Sequence, residues 1–428
     1  MTLSTIPYKG ARDFYPYDKK IQNWIFNSWR RTCVSFGFQE YDGPLIEPFE
    51  MYAAKTGDEI VNTQLYSFVD RGDRKVAIRP EMTPTLARMV AGKIQEIPKP
   101  IRWFSMPNLW RYEKPQKGRL REHWQLNVDV LGGETQFADI EIVRLALDLF
   151  EKVGARNKVT IHLNNRRLMD QLFLKELRLS EAAAYQVSKA IDSYSKISKE
   201  EFSSWLAKIG LSGDQIKTLN TFLTSDLGSV SRILIGEGFT ELCHLMEGLS
   251  QFSEIKFDPT IMRGMDYYTG NVFEAFDTHP DNRRALFGGG RYDNLVGLFS
   301  KTQLSGVGFG LGDVTFHDFL AIHNILPTFE TWVDVFVTIP SQEKSPLAQN
   351  IASQLRALGF SVMTPLSVDG FGAQLKMASK HKCGFAVILG DEELKKGEVQ
   401  VKNLSSGKQE SVKQSEVGEF LKMSSTRT

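Results

Sequence analysis

The residues predict an α+β chain: a largely antiparallel sheet core, broken by a helical insertion and followed by a small α/β domain. Three observations carry that prediction. Strand-like alternation with glycine-rich runs occurs in two blocks, near 101–131 and 267–311. Between them, 165–252 is dominated by Ala, Lys, Ser, Glu and Leu, a helix-forming composition. From Val333 onward, short apolar runs alternate with amphipathic ones, the pattern of a small α/β domain with a mostly parallel sheet.

Along the chain, Ile21, Trp24, Ile25, Trp29, Cys33 and Phe36 recur at helical spacing, and Gly37 stops that helix. Gly43, Pro44 and Pro48 then enforce extended chain. Ile101/Trp103, Leu109/Arg111 and Trp124/Leu126/Val128 predict two antiparallel strands, Arg111 on one of them, joined by the charged loop EKPQKGRLRE. Asp139 is expected to cap a helix ending at Glu151, ahead of Gly154 and a strand from Val159 to Leu163. In the insertion, SEAAAYQ and SKEEFSSW open like capping boxes. Strands resume over Tyr267–Phe276, Gly288–Val296 and Gly306–Leu311, and Ile325–Trp332, with Pro327, is read as a linker. The expected segments are therefore 1–164 and 253–326 for the core, 165–252 for the insertion and 327–428 for the tail.

The 428 residues carry 52 basic and 51 acidic side chains, so no global charge argues for nucleic acid or membrane. With 42% hydrophobic and 24% charged residues, disorder and low complexity are excluded. Three cysteines without a CxxC pair argue against a disulfide framework or structural zinc. No leader-like or membrane-spanning apolar run is read, and the cytosol is the expected compartment.

Four patches carry chemistry. Lys99–Gln125 holds a net charge of +5, with Arg111 placed to grip a phosphate and Lys117, Arg119 and Arg121 on a loop that reaches a longer polyanion; a solvated charged hairpin is the plain alternative. RGMDYYTGNVFEAFD buries charge in an apolar setting, so Arg263 needs a partner, and a structural ion pair with Asp266 or Glu81 would also satisfy it. FGGGRYDNLVG and SGVGFGLGD are not dinucleotide fingerprints, and singly read as packing devices. IRPEMTPTLAR puts Glu81 and Thr83 at a strand-to-helix turn, where an acidic residue also suits the helix dipole.

Together and in this order, RPEMT, WRYEKPQKGRLREHWQ, RGMDYYTG and FGGGRYD make the chain resemble the histidyl-tRNA synthetase family of class II aminoacyl-tRNA synthetases, from KGARDFYP at Lys9 to GEVQVKNL at Gly397. The resemblance implies an antiparallel class II catalytic core with a helical insertion and a C-terminal α/β anticodon-binding domain. It implies ATP with Mg2+ as a substrate complex, no tightly bound cofactor, L-histidine and tRNA(His) as partners, and a homodimer in part through YDGPLIEPFEMY. No metal ligands are assigned.

Residue by residue, the resemblance makes Arg111 and Arg263 the catalytic arginines at the α-phosphate, with Glu113 on the adenine and metal side. Glu81 and Thr83 then hold the α-amino group, and Gln125 stands near the carboxylate. Asp129 and Tyr268 hold the imidazole nitrogens, Tyr267 and Tyr292 line the same pocket, and Gln116, Lys117, Arg119 and Arg121 meet the tRNA acceptor end. His123 is read as loop or outer layer. One departure stands out: Gly312 and Asp313 occupy the places where the family's third motif usually ends in Glu-Arg, the Arg stacking on adenine. The same resemblance admits a rival, the non-aminoacylating paralogue that senses histidine as a regulatory subunit of ATP phosphoribosyltransferase. That paralogue normally lacks the tail domain.

Overall fold

The computed structural model describes residues 3–53, 63–194, 197–262, 267–282 and 284–425. Two compact units divide between Leu326 and Pro327.

The first unit is built on a nine-stranded sheet. Its central strands are β1 (Ile101–Ser105), β2 (Glu122–Leu131), β3 (Val159–Asn165), β4 (Asn271–Asp277), β5 (Ala285–Arg291) and β6 (Gly306–Gly312). Their spatial order is β1-β2-β6-β5-β4-β3, antiparallel throughout, with short parallel strands at each edge, Gln39–Glu40 beside β1 and Ile255–Phe257 beside β3. The two blocks of strand signal thus interleave in space, because β2 pairs with β6 across more than 170 residues of sequence.

One face of this sheet is closed by helices. Pro16–Ser35 begins at its proline, earlier than the apolar periodicity indicates, and buries Ile21, Ile25, Trp29 and Cys33. Gly37 follows at φ +78°, the left-handed conformation that lets the chain leave the helix cheaply. The helix Thr135–Glu151 buries Ile142, Val143, Leu145, Ala146, Leu149 and Phe150.

Asp139 does not cap that helix. The cap position is Glu134, and Asp139 lies one turn inside, 1% exposed, where its carboxylate takes Arg291 and the side-chain amide of Asn271. A buried guanidinium on a central strand needs a carboxylate beneath it, and this need outweighs the local preference of Asp for a cap.

The hairpin also differs from expectation. Its first strand is split in two, Ile101–Ser105 and Asn108–Trp110, around Pro107, which has no N–H for the ladder. Arg111 consequently sits one residue beyond the strand, although its amide still donates to Arg121 O at 2.9 Å.

Between β3 and β4 the chain is helical, apart from the edge strand Ile255–Phe257. Ser198 with Glu201 and Ser212 with Gln215 form reciprocal capping boxes, while Ser180 caps through its hydroxyl alone. Phe202, Leu206, Leu219 and Phe222 are buried.

The second unit has a five-stranded sheet in the order Val362–Met363, Val333–Val337, Cys383–Ile388, Glu398–Asn403, Gln409–Lys413. Only its first two pairings are parallel, so it is half antiparallel. The polar strand Gln409–Lys413 has one buried residue, Val412, too faint an alternation to read from sequence. Helices Ser345–Ala357 and Val417–Ser425 pack Ile351, Leu355 and Leu421 against the sheet.

Candidate active site

Strand register builds the floor of the site. Directly opposed residues share a face, so Gln125, Asn127 and Asp129 of β2 stand in rows with Gly312, Gly310 and Gly308 of β6; the last two continue to Gly288 and Gly290 of β5. These glycines leave a bed without side chains. A Cβ at Gly310 would come 2.7 Å from Gln125 Cδ, one at Gly290 2.8 Å from the Tyr268 ring, and one at Gly308 would overlap the Asp129 carboxylate. Here the glycine runs serve a ligand cleft as well as strand packing.

Above the bed lies an open cleft. It is lined by Glu81, Thr83, Arg111, Gln125, Asp129, Tyr267, Tyr268 and Tyr292, together with Asn127, Gly288, Gly308, Phe309 and Gly310. Eight of the expected site residues therefore converge. Arg263 lies outside the described residues, as does Asp266.

Each wall has a local cause. Glu81, 3% exposed, sits in the turn before the helix Thr83–Gly92, whose second residue is Pro84, and it accepts a hydrogen bond from the Tyr267 hydroxyl at 3.2 Å. Arg111 Nε donates to Pro80 O at 2.9 Å, which ties the guanidinium to that same turn. Tyr267 packs against Tyr268 and Tyr292, with ring centres 4.9 and 6.0 Å apart.

Asp129 is fully enclosed. The Tyr292 hydroxyl donates to Oδ1, and Oδ2 has no hydrogen-bond partner among the described residues. Burial pushes this carboxyl up to about 7, against the opposing pull of the tyrosine hydrogen bond. Its tight partner is Tyr292, while Tyr268 lines the cleft beside it.

The basic loop divides into two parts. Gln116 and Arg119 exchange backbone hydrogen bonds across a tight turn with Gly118 at φ +75°, and Arg284 donates to Gln116 Oε1 and Lys117 O. Arg119 pairs with Glu113 at 3.5 Å, so Gln116, Lys117 and Arg119 form an exposed tip over a partly buried Glu113. Arg121 is held away from that tip: it donates to Tyr8 Oη at 2.8 Å and lies over the Tyr112 ring at 3.9 Å.

Three residues were not legible as parts of the site. His123 belongs to β2, two positions from Gln125 on the same face, so it is not in the loop; it stays outside the lining of the cleft, in the layer behind it. Burial and the charges of Arg111, Arg12 and Arg119 push its imidazole down to about 3, leaving it neutral. Asp313, in the departure from the third motif, is 3% exposed; it pairs with Arg12 at 2.7 Å and accepts the Trp124 amide at 2.9 Å. The guanidinium of Arg12 in turn rests on the Phe14 ring at 4.8 Å. The strict period of β2 could have placed His123, but no local pattern links Arg12 to Asp313.

Among the described residues, no group of three or more His, Cys, Asp or Glu is arranged to hold a metal ion, and no helix is long and apolar enough to cross a membrane.

The model for the family described as Histidyl-tRNA synthetase matches residues 10–313, and the model described as Anticodon binding domain matches 334–423. The chain belongs to the histidyl-tRNA synthetase family. A Histidine--tRNA ligase of Leptospira biflexa is 44% identical over 416 residues, 95% of each chain, and one of Thermoplasma volcanium is 36% identical over 426 residues, 98% of each. The crystal structure of histidyl-tRNA synthetase from Nostoc sp. PCC 7120 aligns with a TM-score of 0.83 at 25% identity, covering 99% of this chain and 100% of that one. The antiparallel core is thus a class II synthetase catalytic fold, and the second unit an anticodon-binding domain.

Proposed function

We propose that this chain is a histidine–tRNA ligase that activates L-histidine with ATP and transfers it to the 3′ end of tRNA(His). The observation that carries the reading is the polarity of the cleft. A carboxylate caged by tyrosines, Asp129, stands at one end of a single strand, and Arg111 lies toward the other, past Gln125.

Histidine fits this layout with its imidazole at Asp129 and Tyr268 and its α-amino group at Glu81 and Thr83. Its carboxylate then points toward Gln125 and Arg111. That carboxylate attacks the α-phosphorus of ATP, supplied as its Mg2+ complex, and the bond to pyrophosphate breaks. No protein nucleophile is required. Charge developing on the α-phosphate meets Arg111, pre-oriented by Pro80 O, and we assign the second guanidinium to Arg263 from its motif. Glu113 is placed on the adenine side. In the second step a terminal ribose hydroxyl of tRNA attacks the acyl carbon and AMP leaves. The exposed tip of Gln116, Lys117 and Arg119, with Arg121 behind it, is assigned to the acceptor end.

The regulatory-subunit reading is not favoured: the relatives that the chain matches along almost its full length are named as ligases, and an anticodon-binding domain follows the core. We place homodimerisation on the small sheet of Ile46–Pro48, Lys75–Ile78 and Ser67–Val69, where Leu45, Ile46, Phe68 and Val69 are exposed apolar side chains. The working compartment is the cytosol.

The decisive experiment is ATP–pyrophosphate exchange with each amino acid in turn, followed by charging of tRNA(His). Exchange with histidine alone is expected. Exchange with another amino acid, or with none, overturns the reading.

A further inference from the structure

Behind the histidine pocket lies a second set of polar groups to which none of the roles above extends. The edge strand Gln39–Glu40 runs parallel to β1, with Gln39 opposite Trp103 and Glu40 opposite Phe104, so Tyr41 comes next to Ser105. In turn, β1 pairs with β2, Ser105 opposite Asn127 and Trp103 opposite Asp129. Tyr41, Ser105, Asn127 and Asp129 therefore share the cleft face of the sheet. Tyr41 is fixed there by its amide, which donates to Phe104 O at 2.9 Å, and by its ring, 5.4 Å from that of Trp103.

Three oxygens in this corner are buried without a hydrogen-bond partner among the described residues: Tyr41 Oη, Ser105 Oγ and Asp129 Oδ2. Buried orphans of this kind are few in native proteins, and two hydroxyls beside an unpartnered carboxylate oxygen point to bonds that close when the site is occupied. The Ser105 hydroxyl is the polar neighbour of the Tyr41 phenol, and Asp129 acts on that phenol by charge. Tyr41 likewise acts on Tyr292, the residue already bonded to Asp129 Oδ1.

We propose that Tyr41, oriented by Ser105, is a positioning residue for histidine recognition: its phenol donates to Asp129 Oδ2 when histidine binds, keeping the carboxylate ionised to accept the imidazole N–H. The two oxygens of Asp129 are then held by two phenols, Tyr292 on Oδ1 and Tyr41 on Oδ2. The donors run one way, from Ser105 to Tyr41 to Asp129, and no proton changes owner. Such help has a clear need, because the enclosed carboxyl is pushed up to about 7 and would be half protonated at neutral pH. The other titratable and charged groups facing the corner are Tyr267 with Glu81, Asp42 and Arg79 beside Tyr41, and Arg111 on the cleft wall.

This inference rests on the histidine-ligase reading, and the test separates the two. Histidine-dependent pyrophosphate exchange is measured from pH 6 to 9 for the wild type, Tyr41→Phe and Ser105→Ala. Losing a donor that closes on the ionised carboxylate only in the complex weakens histidine binding without moving the titration of the free site. Tyr41→Phe is expected to raise the KM for histidine roughly five- to tenfold, and to hold that ratio to wild type from pH 7 to pH 9, because the lost bond belongs to the complex with the ionised carboxylate. kcat and the KM for ATP should stay unchanged at saturating histidine. Ser105→Ala should give a smaller shift of the same shape. No rise in the KM for histidine, a rise that vanishes by pH 9, or a parallel loss of kcat overturns the proposal while the wild type still exchanges with histidine. Absence of exchange in the wild type overturns the ligase reading instead.

Discussion

Replacing Asp129 by Asn should stabilise the unliganded protein, and by an amount that depends on pH. In the folded chain the carboxyl titrates near 7, with one oxygen on Tyr292 and the other unpartnered, whereas an unfolded aspartate titrates at about 3.9. Between those values the folded protein holds a proton that the unfolded chain has released, so stability falls as pH rises, by about 1.4 kcal/mol per unit. The full penalty, present above pH 7, is about 4 kcal/mol. The amide of the Asp129→Asn variant does not titrate, and other titrating groups cancel when variant and wild type are compared. The advantage of the variant should therefore grow by about 2.7 kcal/mol from pH 5 to pH 8. Urea unfolding followed by tryptophan fluorescence reads this well, since every tryptophan except Trp332 lies in the first unit. The same substitution should abolish histidine selectivity, marking Asp129 as a residue kept for function at a cost in stability. A difference between the two proteins that is equal at pH 5 and pH 8, within about 0.5 kcal/mol, would refute the argument.

Arg111→Ala removes a guanidinium fixed by Pro80 O at the phosphate end and should lower kcat for pyrophosphate exchange by about 10²–10³; retention of more than about a tenth of turnover contradicts its role. Gly308→Ala forces a methyl group into the Asp129 carboxylate, so the KM for histidine should rise at least about tenfold while that for ATP moves little; parallel changes in both would show a general loss of the sheet. A chain ending at Leu326 should still exchange pyrophosphate but charge tRNA poorly, and Arg119→Ala in the full chain should weaken charging and flatten its salt dependence; charging by the shortened chain at the full rate would remove the tail from tRNA recognition. Arg12→Ala strands the buried Asp313 carboxylate and should cost about 3 kcal/mol at neutral pH in urea unfolding. That loss should shrink toward pH 5, because burial already pushes Asp313 upward; a loss that does not change with pH would mean that packing, not charge, is what Arg12 supplies.

Much of the catalytic frame is legible in sequence because its determinants are local. Periodicity marks the helix of Ile25 and Trp29, serines with Glu or Gln three residues later mark the insertion helices, and dense motifs mark Glu81, Arg111 and Tyr292. The remainder depends on partners distant in sequence. Asp139 has the look of a cap residue until Arg291, 152 positions later, is folded against it. Pro107 reads as a detail within one strand, yet it splits that strand; the second piece stops at Trp110, and Arg111 just past its end reaches Pro80 O. The glycines of β5 and β6 read as packing devices until the register aligns them opposite Asp129 and Gln125.

The departure at Gly312 and Asp313 belongs with these long-range effects. In sequence it looks like a lost adenine contact, and installing Glu and Arg there would be the natural repair. In the folded protein Asp313 already has two partners, Arg12 at 2.7 Å and the Trp124 amide at 2.9 Å, which join the N-terminal segment and β2 to the end of β6. Those ties hold β2 beside His123, and Arg12 is one of the three guanidiniums that keep His123 neutral. An arginine at 313 would face Arg12 across a site that is nearly closed to water, where like charges are poorly screened. The repair would therefore break the anchor of the strand that carries Gln125 and Asp129. In this chain Asp313 serves an ion pair that fixes the end of the sheet beside Trp124.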